Sequence, residues 1–347
     1  MMPKDFSKEL PQLYGKVIAV VYIFEGEDAK GFEHYHVWRS DVISGWLNAI
    51  QALHGLPLIL DVRTFVEKAV NRTLPHIDFV LNLNCGSCSL YPMGLVPSVC
   101  GFLSIPCIPC DTVSIIAGED KYLANLIAKA RGLRVPDELD PSDTRGIYRP
   151  LNYGSSVGVQ RGVCPAAYRD GTYQEFIHGY DITTPMVYDP LSGTMGILPT
   201  VMIAPDEIDT DWFYGESANK TGTGYHRNII PPFSDELNAL YRDVVRAFSI
   251  STFCRIDARI KCEAAKDLPQ LLQKPLGAED VYFLEINSMP SIRNANNDFK
   301  YSFEHIVQGS SLDLCLESMK QLWGAVDLPL FLLACSMLSY TKATCKK

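Results

Sequence analysis

The residue order predicts an α/β chain of more than one domain that opens on a doubly wound parallel sheet. Two observations carry this. Short apolar, strand-like runs alternate with amphipathic helical stretches through the first third of the sequence. At 347 residues the chain is also too long for one compact core, so two or three domains with clefts between them follow.

Taken in order, Lys16 to Phe24 reads as a strand. Ser40 then caps a helix whose apolar positions Val42, Ile43, Trp46, Leu47, Ile50 and Leu53 recur at helical spacing and stop at Gly55. Leu58 to Leu60, Asp78 to Leu83 and Ile105 to Ile108 supply further short strands. One helix is expected from Thr112 to Ala130, closing at Gly132, with a domain boundary near residue 115 and a Pro- and Asp-rich connector from Val135 to Ser142. Gly146 to Arg149, Val157 to Gln160 and Tyr173 to Phe176 read as strands around a loop. Strands at Thr184 to Tyr188 and Gly196 to Ile203 follow, then a polar stretch, Phe213 to Asn228, read as either a mobile lid or disordered. A helix from Ser234 to Phe248, strands at Cys254 to Lys261 and Val281 to Ile286, and a helical region from Ser310 complete the chain.

Composition excludes several classes. A hydrophobic share of 47% with 20% charged residues describes an ordinary globular protein, and a net charge of −9 leaves no basic footprint for nucleic acid or anionic lipid. A phosphate-bearing ligand would therefore need local cations. Met1 to Leu10 lacks the apolar core of a signal peptide, so a cytoplasmic location is expected. Leu328 to Leu338 is strongly apolar but too short to span a bilayer; it reads as a packed terminal helix, with an interfacial or oligomer contact as the alternative. Eleven cysteines without a secretion signal read as reduced thiols. Cys85 and Cys88, followed after eighteen residues by Cys107 and Cys110, have the spacing of a zinc site. Buried thiols are the expectation, because residues three apart on an extended segment point to opposite faces.

Two segments carry chemistry. In Arg149-Pro150-Leu151-Asn152-Tyr153-Gly154-Ser155-Ser156-Val157-Gly158-Val159, glycines let backbone N–H groups approach an anion and the serines add donors. The run lacks the P-loop pattern, and taken alone it also fits a hairpin turn. Arg255 and Asp257 lie two apart and share a strand face, as do Glu285 and Asn287. If the two strands are neighbours, one face displays two carboxylates, an amide and a guanidinium, which suits magnesium or, as the alternative, a surface ion-pair cluster.

Taken together and in order, these segments resemble the ATP-grasp superfamily, and within it the D-alanine–D-alanine ligases, over residues 16 to 320. The resemblance implies an ATP-grasp fold, in which an N-terminal doubly wound parallel α/β domain (1–115) precedes two α+β subdomains (116–184 and 185–347) that clamp ATP. Asp120-Lys121 looks like the Asp-Lys whose lysine meets nucleotide phosphate, and Arg149-Pro150 with Gly154, Ser155, Ser156 and Val157 looks like the Lys-Pro and phosphate loop. Gln174, Glu175, Phe176 and Ile177 resemble the adenine hinge, and Asp181 stands where a ribose-binding glutamate is usual. Lys220 falls in what resembles the mobile loop over the active site. Arg255, Asp257, Glu285 and Asn287 match the family's arginine and magnesium ligands. What this implies is an enzyme that uses ATP and Mg2+, with Mn2+ as a substitute, to join a carboxylate to an amine. Arg255, Lys220 and Ser156 would act in catalysis. Related ligases are often dimers, so a homodimer is a further expectation. The alternatives are a phosphotransferase on the same scaffold and a silent nucleotide-binding protein.

The departures concern substrate. The Gly-Gly-x-Ser-x-Glu loop that seats the first D-alanine is absent; Glu25-Gly26-Glu27 and a run from Phe32 to Arg39 stand in its place. The family's His-Gly is replaced by Asn82-Leu83-Asn84-Cys85-Gly86, its Pro-Gly by Pro290-Ser291, and the small polar residues that follow by Arg293, Asn294 and Asn296. A different amino-acid or peptide pair is therefore expected, with His34, His36, Arg39, Ser291, Arg293 and Asn296 as candidate contacts. Arg293 is the strongest of these, because a guanidinium beyond the metal strand can hold a substrate carboxylate through two hydrogen bonds. Arg293→Ala should raise the KM of one substrate at least about tenfold with kcat little changed; unchanged KM for every substrate in steady-state kinetics would remove that role.

Overall fold

Strands β1 (Val17–Tyr22), β2 (Leu56–Asp61), β3 (Phe79–Asn82) and β4 (Cys107–Ile108) form a parallel sheet in the order β2-β1-β3-β4 in the computed structural model. The structure describes residues 8–24, 40–84, 92–151, 154–165, 171–207, 209–292 and 297–344. Helices α1 (Ser40–Ala52), α2 (Val62–Val70) and α3 (Leu95–Leu103) cover the two faces. Alternation along β1 decides which: Ile18 and Val20 join the core of Trp46 and Ile50 from α1, while Ala19 and Val21 join Phe65 of α2 and Val96 of α3. This is the doubly wound arrangement expected.

The helix expected from Thr112 to Ala130 is two helices, α4 (Thr112–Glu119) and α5 (Lys121–Ala130). Asp120 between them is extended (φ −80°, ψ 103°), and its carboxylate accepts the Leu123 N–H at 2.9 Å, capping α5. The break places Lys121 at the first position of a new helix.

Three strands, β5 (Gly146–Pro150), β6 (Gln160–Arg161) and β7 (Gly171–Glu175), make an antiparallel sheet in the order β6-β5-β7. The strand expected from Val157 shrinks to Gln160–Arg161, because Ser155, Ser156 and Gly158 all take positive φ (57°, 59° and 73°), which no strand accommodates. After β7 the chain enters a larger antiparallel sheet through β8 (Gly179–Asp189). Gly179 at this junction has φ +140°, and a Cβ there would lie 1.9 Å from the Ile260 carbonyl oxygen, so only glycine fits. The change of sheet falls before Gly179, and the boundary drawn from sequence at 184 lies inside β8.

The larger sheet adds β9 (Thr194–Ile197), β10 (Val201–Pro205), β11 (Tyr225–Ile229), β12 (Phe253–Lys261) and β13 (Val281–Asn287) in the order β11-β10-β8-β12-β13, with β9 paired to β8. Pro199, which has no N–H for the ladder, separates β9 from β10 where one strand was expected. The polar stretch read as a lid contains α6 (Glu216–Thr221) and β11, and β11 pairs with β10 along its length. Helices α7 (Asp235–Ala247), α8 (Leu268–Leu271), α9 (Asp298–Glu304), α10 (Ser311–Trp323) and α11 (Leu328–Thr344) complete the fold.

The apolar terminal segment is core. Leu330, Phe331, Leu332 and Leu333 on α11 are buried in the cluster that also holds Trp46 of α1 and Val187 of β8. No single helix among the described residues is long and apolar enough to cross a membrane, and α10 and α11 meet at a 104° bend. Cys107 and Cys110 are buried thiols; a hydrogen bond with Cys100 and burial push the first well up, and burial, aided by the Asp111 charge, does so for the second. Cys85 and Cys88, the other half of the zinc spacing, lie outside the described residues. Because Phe331 is fully enclosed, Phe331→Ala should lower the unfolding free energy by about 3–5 kcal/mol, read as a reduced midpoint in urea with an unchanged slope.

Candidate active site

A cleft between the three-stranded and the larger sheet encloses about 1010 Å³ of empty space, including the solvent at its mouth. One end is apolar, walled by Ile147, Val159, Phe176, Ile203, Ala258 and Leu284. The other is charged, with Lys121, Arg149 and Arg255 set against Asp257 and Glu285. An apolar wall leading to a cationic end suits a flat heterocycle carrying phosphates.

The charged end follows from strand register. β12 and β13 are antiparallel neighbours in which Arg255 pairs with Asn287 and Asp257 with Glu285, so all four side chains share one face. The pairing then slips, Ala258 meeting Phe283, and Leu284 is left as the extra residue of a bulge. Its carbonyl accepts Arg149 Nη1 at 3.1 Å and Asn125 Nδ2 at 3.3 Å, partners from β5 and α5.

Each carboxylate is held by cations. Glu285 accepts Arg149 Nη2 at 3.0 Å and lies 3.5 Å from Lys121 Nζ. Asp257 takes both ends of Arg255, at 2.8 and 2.6 Å, and the Thr183 hydroxyl at 2.6 Å. Burial pushes the Asp257 carboxyl up against the pull of Arg255, and the Glu285 charge adds to the push. Burial acts on Glu285 too, but Lys121, Arg149 and Arg255 outweigh it and hold that carboxyl below its ordinary range. Lys121 is itself pushed down by burial, with Glu285 opposing.

This donor set fits a magnesium ion. Two buried like charges placed directly across a strand pair repel, and a divalent cation between them removes that cost. Their occupied oxygens keep further lone pairs, since an ionised carboxylate offers about four acceptor sites. Asp257, Glu285 and the Asn287 amide are the residues that would hold it. Among the described residues no group of three or more His, Cys, Asp or Glu side chains is placed to bind a metal, so any such site here relies on the amide and on ligand oxygens.

Ser155 and Ser156, where a phosphate loop was expected, line the same cleft. Two successive non-glycine residues in the left-handed region cost about 1–2 kcal/mol each, and such strain gathers at functional sites. The Ser156 hydroxyl donates to the Tyr214 carbonyl at 2.8 Å, tying this loop to the segment ahead of α6. Gly154 and Asn287 face a second, smaller pocket on the other side of Lys121 and Glu285. Val157 lines neither; its N–H donates to the Gly154 carbonyl at 3.2 Å.

At the apolar end Gln174, Glu175, Phe176 and Ile177 line the cleft where the hinge was expected. Asp181 lines it too, but its oxygens already accept Arg259 Nη1 at 2.9 Å and the Tyr214 N–H at 2.7 Å. Lys220 falls on α6, although its side chain lies outside the described residues. The Ser291 hydroxyl is buried without a hydrogen-bond partner among the described residues, and its carbonyl accepts Asn297 Nδ2 at 2.6 Å. His34, His36, Arg39, Arg293, Asn294 and Asn296 lie outside the described residues.

Sequence reasoning missed Arg259, although its spacing two beyond Asp257 on β12 was there to be read. It is 3% exposed and donates to the carbonyls of Ile177 (2.7 Å), Gly179 (2.6 Å) and Trp212 (2.9 Å) as well as to Asp181. Thr183, Tyr214 and Asp298 also line the cleft and carry no local motif. Removing the guanidinium strands a buried carboxylate and three carbonyls. Arg259→Ala should therefore cost about 3–5 kcal/mol of stability, measured by urea unfolding, and should weaken nucleotide affinity in calorimetry.

No family model matches the sequence, and no curated protein matches it. Solved structures do match. D-alanine–D-alanine ligase from Bacillus anthracis complexed with ATP aligns with a TM-score of 0.60 at 16% identity, covering 96% of this chain and 99% of that one. D-alanyl-alanine synthetase A from Vibrio cholerae aligns at 0.57 and 14% identity, covering 89% and 98%. The VanG D-Ala:D-Ser ligase from Enterococcus faecalis aligns at 0.55 and 14%, covering 89% and 99%. With a parallel N-terminal domain, two antiparallel sheets around a cleft and likeness over nearly the whole length, the chain has the ATP-grasp fold of the D-alanine–D-alanine ligase structures.

Proposed function

We propose that the chain is an ATP-dependent ligase that activates a carboxylate as an acylphosphate and joins it to an amine, with an amino-acid or peptide pair other than two D-alanines as substrates. The observation that carries this is the shared strand face of Arg255, Asp257, Glu285 and Asn287, the first three at the cationic end of an apolar-walled cleft and Asn287 in the smaller pocket beside it. A structure with the same fold is described as complexed with ATP. The chain's net charge of −9 makes that local concentration of cations more telling, since nothing in the overall field favours a polyphosphate.

In this reading the base lies along the apolar wall by Phe176 and Ile177, and the phosphates reach Lys121, Arg149 and the Ser155–Ser156 turn. Asp257, Glu285 and Asn287 would hold magnesium, which when bound would supply neutralisation of phosphate charge. The protein's own task is to hold the γ-phosphate in line with the attacking carboxylate. The carboxylate oxygen displaces ADP from the γ-phosphate; the neutral amine then adds to the acylphosphate carbon, the C–N bond forms as the C–O bond to inorganic phosphate breaks, and the nitrogen sheds one proton to solvent. Arg255 stands at the end of this row, where a guanidinium can stabilise the oxyanion of the addition step. Lys220 and Ser156 are assigned to the γ-phosphate on the resemblance, and Arg293 and Asn296 to substrate. The absent D-alanine loop and Pro290-Ser291 support a different substrate pair.

The test is a screen for ADP release with amino acids supplied singly and in pairs, with mass detection of the product. ADP and phosphate that appear only when acid and amine are both present are expected. Release with a single phosphate acceptor, and a phosphorylated product, would identify a phosphotransferase instead. Asp257→Asn and Glu285→Gln should each abolish ATP-dependent turnover, by at least about a hundredfold, with the far-ultraviolet circular dichroism of the parent retained. Normal turnover in either variant would reject the assignment.

A further inference from the structure

The smaller pocket beyond Lys121 and Glu285 is walled by Glu119, Gly154, Ile286, Asn287 and Ser288. Glu119 belongs to none of the motifs and does not line the larger cleft. It is the last residue of α4, a helix packed so closely on β13 that a Cβ on Gly118 would lie 3.0 Å from the Ile286 carbonyl oxygen. That approach sets the Glu119 carboxylate against the wall made by Ile286 and Asn287.

Its Oε2 atom is buried and has no hydrogen-bond partner among the described residues. Such an oxygen is costly to leave unmatched. Burial pushes the carboxyl up to about 7, with Lys121 opposing and Asp120 adding to it. The nearest cation is engaged elsewhere: Lys121 Nζ lies 3.5 Å from Glu285 and donates to the Leu151 carbonyl at 3.4 Å. The pocket thus presents a desolvated carboxyl, one oxygen of which no described residue hydrogen-bonds, directly beside the charged end of the cleft. A primary ammonium, with three donors and a positive charge, is the complementary group.

We propose that Glu119 binds the ammonium group of the amine substrate in this pocket. The proposal rests on the ligase reading and adds to it the side from which the amine enters. A group seated beside Glu119 shares Lys121 and Glu285 with the phosphate end, and once the ammonium has passed one proton to the Glu119 carboxylate its nitrogen has the lone pair to attack the acylphosphate formed next to it. It also commits that substrate to a cationic amine, since a neutral amide in the same place would leave the carboxylate unmatched.

Calorimetric titration of the full-length protein tests this, with glycinamide and alaninamide as cationic probes and N-acetylglycinamide as the neutral control. Each is run with and without ADP and magnesium. Saturable binding of the two cations, and none of the control, is expected. Glu119→Gln should weaken the cations at least about tenfold while ADP affinity and Tm stay at wild-type values, and Glu119→Asp should recover part of the loss. Equal affinity in Glu119→Gln and wild type overturns the proposal, as does failure of the wild-type protein to bind either cation in both conditions. Failure of the wild-type protein to bind ADP would count against the ligase reading instead, and the nucleotide-free titration still decides the role of Glu119.

Discussion

Two buried carboxylates face each other across β12 and β13, and much of the surrounding structure serves to balance them. Asp257 and Glu285 sit directly opposite in register. Like charges so placed repel, more strongly away from water, so the strand pair is tenable only with cations close by. Those cations come from three elements: Lys121 from α5, Arg149 from β5 and Arg255 from β12 itself. Balancing one face of the large sheet therefore joins it to the three-stranded sheet and to the helix that leaves the N-terminal domain. The cleft follows as the gap those bridging side chains span.

The apolar end is fixed by different means. Arg259 donates to three carbonyls and to Asp181, and so clamps Ile177 and Gly179 to the Trp212 segment. It also lies under Phe176, its guanidinium carbon 4.9 Å from the ring centroid, while Arg161 lies 3.9 Å from the same centroid. The segment between the two sheets is thereby stiffened at the point where the chain crosses from one to the other. A rigid crossing at this end and paired charges at the other define the length of a ligand the cleft can accept.

Much of this was legible in the residues. Period-two spacing was enough to place Arg255 with Asp257 and Glu285 with Asn287, because strand geometry leaves no other arrangement for polar residues two apart. What it could not supply was the bulge at Leu284, which depends on how two distant strands meet. The Asp120 break was readable as a helix cap, yet the apolar periodicity on either side, Ile115 and Ile116 before and Leu123 and Ile127 after, masked it. The loop of Ser155 and Ser156 runs on into the strand expected from Val157, because β-branched Val157 and Val159 favour extension and tertiary bonding of Ser156 to Tyr214 overrides that preference. Glu119 gave no sign at all: a glutamate at the end of a helix reads as surface until Gly118 brings it against β13.

The arginine at position 149, where the ligases it resembles carry lysine, follows from the same geometry. Its two terminal nitrogens donate to different acceptors, Nη1 to the Leu284 carbonyl and Nη2 to Glu285. A lysine ammonium is a single point charge on a flexible stem and cannot hold both in one fixed orientation, whereas the planar guanidinium does so without further ordering. The bulge exposes the carbonyl and the cross-strand pair presents the carboxylate, so the fork is matched to two features of β13 at once. Register, bulge and the choice of arginine are then one structural solution, in which this residue keeps positive charge at the charged end of the cleft while tying the two sheets together.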